Sequence, residues 1–220
     1  LIAHAAMAAG VVFQDEISGG ISVDATAVDA HGAALSSHVP AEDLKVRVPD
    51  EAILTEAFLI LHAKIDGFGT ISGGGVKLNG FIISDAPSAS LVMSTDSIEV
   101  YSFDPNTLGI YGSADVTYTE QGVVERDFHT GSGINGATLV VVYEHLVLRG
   151  RRHIVVATDD VSGGSSILSD LPGPESVGSA VISVGISNEC SNDQENIVSI
   201  NGIPVSSSVG GRDDGPAFDG

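Results

Sequence analysis

The chain has no tryptophan, a single cysteine, and only nine basic side chains among its 220 residues. With no tryptophan and aromatics at 5%, it offers few flat platforms on which a sugar ring can stack, which disfavours a glycosidase or a lectin. Cys190 has no partner for an internal disulfide, so it is either an unpaired loop thiol or a link between chains. Against the nine bases stand 29 acids, a formal net charge of -20. Such a surface repels nucleic acid and anionic membranes, stays soluble and attracts cations. The same acidity also suits a saline habitat. No apolar run approaches the roughly 18 residues of a membrane helix, so no membrane insertion is expected. Also missing are a Gly-x-Ser-x-Gly elbow, a Walker loop and a His-Glu-x-x-His pair, so no catalytic residue is announced and the chain reads as a non-enzyme. "GSGING", Gly131 to Gly136, has dinucleotide-fingerprint spacing, but an apolar strand pattern follows it where that chemistry needs a helix. It reads as a turn.

What is present is glycine, 27 residues of it, with abundant Val, Ile, Ser and Thr in short runs. These predict an all-β fold, a single β-sandwich or jelly-roll-like domain. "LKVRV", Leu44 to Val48, alternates apolar with basic side chains as a half-buried strand does. The run from Ala52 to Ala63 is long enough for a helix, but its "FLILHA" segment after the Pro49-Asp50 turn reads as a buried strand. Further strands are expected at Ser97 to Phe103, Val123 to His129, His153 to Ala157 and Ala180 to Ile186. Asn79-Gly80, Asn135-Gly136 and Asn201-Gly202 supply the positive dihedrals of two-residue hairpins, and "VKLNGFII" and "VSINGIPV" each read as one.

Thr138 to Tyr143 is apolar in both side-chain phases, the pattern of a central strand covered on both faces. Behind it "RGRR", Arg149 to Arg152, forms the turn into the next strand. Those arginines sit at an edge of the sandwich, solvated or matched to carboxylates of the same or another molecule.

Several segments taken in order resemble a family of secreted β-sandwich domains found in large bacterial and archaeal surface proteins of adhesin or stalk type. They are "VPDEAILTEAFLIL", "VKLNG", "YGSADVTYTEQG", "NGATLVVVYEHLVLRGRRHIVV" and "INGIPV". The similarity runs from about Val48 to Val205 and rests on core and turn residues, so it implies fold and location more than a ligand. Where that family often carries a tryptophan ahead of the Leu-Val-Val-Val-Tyr run, this chain has Ala137-Thr138. The resemblance implies an extracellular or cell-surface protein. The start at Leu1 reads as processed, since "LIAHAAMAAGVVF" lacks the basic region of a leader and is what a cleaved upstream signal leaves.

Two groups of residues are candidates for function. Acidic loops supply hard oxygen ligands suited to calcium: from Ala157 to Gly220 there are ten acids and one base, with Asp159, Asp160, Asp213 and Asp214 the first candidates. None follows EF-hand spacing, and solvated acidic loops explain them as well. Seven histidines, among them His31 and His38, read as surface or packing residues before metal ligands. The second group concerns assembly. Residues 1 to 13 form an apolar N-terminal arm ahead of a domain at 14 to 220. Leu1, Ile2, Met7, Val11, Val12 and Phe13 fold back as an ordinary first strand or pair with a neighbouring subunit's open edge, with Arg149, Arg151 and Arg152 as a second contact. The expected protein is a structural subunit of a surface layer, appendage or filament that associates into a homopolymer, with strand exchange as one route of assembly. The alternative is an adhesin-type module recognising glycan or protein through calcium-supported loops.

Overall fold

Short runs of aliphatic and β-branched residues, punctuated by Gly, Asn and Pro, are too short and too β-branched to favour helices and satisfy most of their backbone by pairing with one another. The computed structural model describes residues 10–27, 43–64, 76–83, 89–92, 96–120, 133–148, 150–158, 181, 183, 197–200 and 203–207. Among these residues it contains strands and one short 3₁₀ turn, Pro105–Leu108, and no α-helix. In chain order the strands are β1 (Gly10–Ile17), β2 (Gly19–Ala27), β3 (Leu44–Val46), β4 (Ile53–Lys64), β5 (Val76–Leu78), β6 (Phe81–Ile82) and β7 (Ala89–Val92). They continue with β8 (Asp96–Phe103), β9 (Ala114–Val116), β10 (Tyr118–Glu120), β11 (Gly133–Glu144), β12 (Arg152–Thr158), β13 (Ile197–Ile200) and β14 (Ile203–Ser207).

Pairing is antiparallel throughout these strands. The largest sheet has the order β2-β11-β4-β8-β7; a smaller one runs β10-β5-β6; β1-β12, β3-β9 and β13-β14 are two-stranded. The expected strands at Leu44, Ala52, Ser97, His153 and Thr138 are therefore present, and the long apolar run beginning near Ala52 is strand β4. The strand expected at Val123 to His129 lies outside the described residues. So does most of the one at Ala180 to Ile186, of which Val181 and Ser183 are described, exposed and not in a strand.

The two apolar phases of β11 organise the core. This strand lies between β2 and β4, with Val141 opposite Ser22 on one side and Ala57 on the other. Because successive side chains alternate faces, Leu139 and Val141 enter one apolar cluster with Leu59, Leu61 and Tyr101. Val140 and Val142 enter a second with Phe58, Ile60, Ile98 and Val100. The first cluster also contains residues of the smaller sheets: Leu44, Val46, Val76, Leu78, Val116 and Tyr118. The second contains Ile17 of β1 and Val156 of β12, with Val12, Phe13 and Ile154 packed against it. Phe13 meets Phe58 with ring centroids 5.4 Å apart in a tilted arrangement. All four valine and leucine positions from Leu139 to Val142 are buried, as two covered faces require.

Side chains join the smaller sheets to the large one. Ser22 Oγ accepts from Arg47 N at 2.8 Å and Asp24 Oδ2 accepts from Lys45 N at 2.6 Å, so β2 grips β3 through side-chain oxygens. Asn79 and Gly80 turn β5 into β6 with φ of 49° and 80°, the positive pair that a two-residue hairpin favours. The Asn79 amide also donates to Leu108 O at 3.1 Å and accepts from Thr117 N at 3.0 Å. Strands β13 and β14 form the expected second hairpin, with Ile200 opposite Ile203. Asn135-Gly136 behaves differently: it lies within β11, where the register against β4 shifts between Ile134 and Gly136. A bulge absorbs this pair, because the ladders on both sides of β11 outweigh its local turn preference.

One buried carboxyl belongs to this core. Glu99 is fully buried and its Oε2 accepts the Tyr101 hydroxyl at 2.6 Å. Removing that donor by Tyr101→Phe is expected to lower stability by about 1–3 kcal/mol, measured by urea unfolding. An unchanged midpoint would show that the bond contributes nothing.

Candidate assembly surface

The apolar start and the arginine turn, far apart in sequence, meet in one ribbon. β1 pairs with β12 over its whole length, from Gly10 opposite Thr158 to Ile17 opposite Arg152, with an irregularity between Val11 and Phe13. Val11, Val12 and Phe13 thus stand in a strand paired within the same chain. Val12 and Phe13 pack on the second apolar cluster, while Val11 is exposed. Leu1, Ile2 and Met7 lie outside the described residues. Neither β1 nor β12 pairs with another described strand.

The arginines occupy the opposite end of this ribbon from Val11. At roughly 3.3 Å per residue, the separation is on the order of 20 Å. Gly150, with φ of 103°, turns the chain into β12. Arg151 Nη2 donates to Glu16 O at 2.8 Å, and its Nε lies 3.8 Å from Glu16 Oε2. Arg152 Nη1 donates to Gly19 O at 2.7 Å. Both side chains thus tie the start of β12 to the crossing from β1 into β2. Their backbone contacts position them, and the exposed Arg151–Glu16 ion pair adds little, since water screens such pairs. Arg149 lies outside the described residues.

Around this crossing the sequence reading missed two residues. Gly19 sits where a Cβ would come within 1.8 Å of Tyr143 O, so the close approach of β2 to β11 demands glycine there. His145 is the other: its backbone N donates to Ser18 O at 2.8 Å and its ring Nε2 lies 2.9 Å from Asp50 O. Neither has a local sequence signature, because the partners are more than 90 residues away. The same region carries exposed apolar side chains, Ile53 on β4 and Leu146 and Val147 in the turn after β11.

The calcium candidates Asp159, Asp160, Asp213 and Asp214 all lie outside the described residues, and among the described residues no group of three His, Cys, Asp or Glu side chains converges. Cation effects are separable in solution. Adding salt to the -20 chain is expected to raise Tm by several degrees by screening repulsion. A larger rise with calcium than with magnesium at equal ionic strength would mark a specific site, and equal shifts would leave screening alone.

No family model, curated protein or solved structure matches the chain.

Proposed function

We propose that the chain is a non-enzymatic extracellular structural protein, a β-sandwich subunit of a surface layer, appendage or filament that assembles with copies of itself. The observation that carries this reading is the β1–β12 ribbon. An eight-residue strand, β1, covers an apolar cluster of the large sheet, yet its described pairing is confined to one neighbour. The same strand from a second copy presents the same backbone donors and the same Val12, Phe13 and Ile17 side chains, so it remakes the contacts of the ribbon there, and only those of the Ser18 crossing have to be rebuilt. Exchange of identical elements is a low-cost route to association. Passed from copy to copy it generates an open chain, unless the rotation between subunits closes a ring. The extracellular setting follows the resemblance in the core segments, and the acidic surface keeps unassembled subunits soluble.

Gln14 and Val155 are opposite one another in the ribbon, close enough as antiparallel neighbours for a disulfide. In a Cys190→Ser background, one preparation carries Gln14→Cys and the other Val155→Cys. After co-assembly and oxidation, a disulfide joining the two kinds of chain is the expected product. If the polymer forms without it, while a single chain carrying both substitutions closes internally in that polymer, β1 remains in its own subunit and exchange is rejected.

A further inference from the structure

We propose that His145 is a pH-sensitive latch for the turn between β11 and β12. Two contacts fix the state of its ring. Asp50 O, a carbonyl that can only accept, lies 2.9 Å from Nε2, and Val147 N, an amide that can only donate, lies 3.3 Å from Nδ1. Both are satisfied by one form alone: the neutral imidazole with its proton on Nε2. Two backbone bonds pass through the same residue, His145 N to Ser18 O at 2.8 Å and Leu148 N to His145 O at 3.1 Å. The residue therefore fastens three segments: the β1–β2 crossing, the turn ahead of β4, and its own turn.

Protonation changes one of these contacts. A charged ring still donates from Nε2 to Asp50 O, but its Nδ1 now carries a proton aimed at the Val147 N–H. That amide loses its acceptor and the turn loosens around Leu146 and Val147, the most exposed adjacent apolar pair among the described residues at 90% and 71%. Leu148 keeps its packing against the first cluster. The charged groups of the joined segments are Asp50 and Glu51 ahead of β4, Glu144 at the end of β11, Glu16 at the end of β1, Arg151 before β12 and Arg152 at its start. Among the described residues the ring's hydrogen-bond partners are Asp50 O and the Val147 amide, so which bond is lost on protonation does not depend on these charges. The device stands on local geometry and is independent of the assembly reading.

The test is nuclear magnetic resonance of the intact chain between about pH 5 and 8. Long-range proton–nitrogen spectra of the ring read its tautomer, and exchange of the Val147 amide, corrected for intrinsic rate, reads the latch. The expected result is an Nε2-protonated ring at high pH and a threefold to tenfold loss of Val147 protection, the equivalent of one net hydrogen bond of about 0.6–1.4 kcal/mol, tracking the imidazole titration. His145→Asn keeps an acceptor near the Nδ1 position and does not titrate, so Val147 protection should become independent of pH. His145→Gln lacks that acceptor and should leave Val147 unprotected throughout. A neutral ring protonated on Nδ1, or Val147 protection indifferent to the ring's titration, overturns the proposal.

Discussion

Val141→Asp is expected to yield a chain with no cooperative unfolding transition at neutral pH. Val141 is fully inaccessible to solvent, and its side chain joins a cluster built from Leu59, Leu61, Ala57, Tyr101 and Tyr143. An aspartate there must either bury a charge or take up a proton against a bulk pH well above its ordinary range, and both are costly. The loss is about 4–5 kcal/mol or more, against a total stability of about 5–15 kcal/mol for a domain. Glu99 shows what makes a buried carboxyl tolerable on the same face of the sheet: the Tyr101 hydroxyl donates to it at 2.6 Å. Val141→Thr is the control, since it keeps the shape and buries only a hydroxyl, at about 1–3 kcal/mol. A soluble aspartate variant with the parent's Tm would refute the placement of β11 as an interior strand covered on both faces.

Gly19→Ala is the second large effect. The added carbon would lie 1.8 Å from Tyr143 O and 2.7 Å from Tyr143 C, both backbone atoms of the ladder, so relief requires β2 to move away from β11. That movement breaks the pairing of Gly19 with Glu144 and pulls on Ser18, whose carbonyl accepts from His145. Several backbone bonds are lost together, and about 2–4 kcal/mol is expected. Gly20→Ala is the comparison. Its new carbon meets the Tyr143 hydroxyl at 2.8 Å, the far end of a side chain that can turn aside, so the cost is smaller. Urea unfolding of the two variants measures the difference, and equal effects would contradict the close approach at Gly19.

Much of this core is legible in the sequence because burial on both faces leaves an unmistakable mark. Leu139 to Val142 has no polar phase, and only a strand covered twice can use such a run. Alternation in Leu44-Lys45-Val46 likewise names its inward face, and the structure buries Leu44 and Val46 while exposing Lys45. The first two strands were harder to read. "GGISVDATA" alternates Ile21 and Val23 with Ser22 and Asp24, but Gly, Ala, Asp and Ser are weak strand formers, and the nine-residue ladder with β11 supplies what local preference does not. Asn135-Gly136 shows the same dominance of tertiary pairing over a turn signal. Of the candidate surface, the arginine turn was legible from "RGRR" alone. Its acceptors, Glu16 O and Gly19 O, lie about 135 residues earlier and became visible only when β1 and β12 paired.

The central claim, that this chain builds a polymer of itself, is tested most directly by negative-stain electron microscopy of the protein across a range of concentration and salt. Salt is included because screening of a -20 charge lowers the repulsion between approaching copies. The account predicts regular arrays or fibres with a repeat of one subunit, favoured as salt rises. Monodisperse single particles under every condition would contradict it.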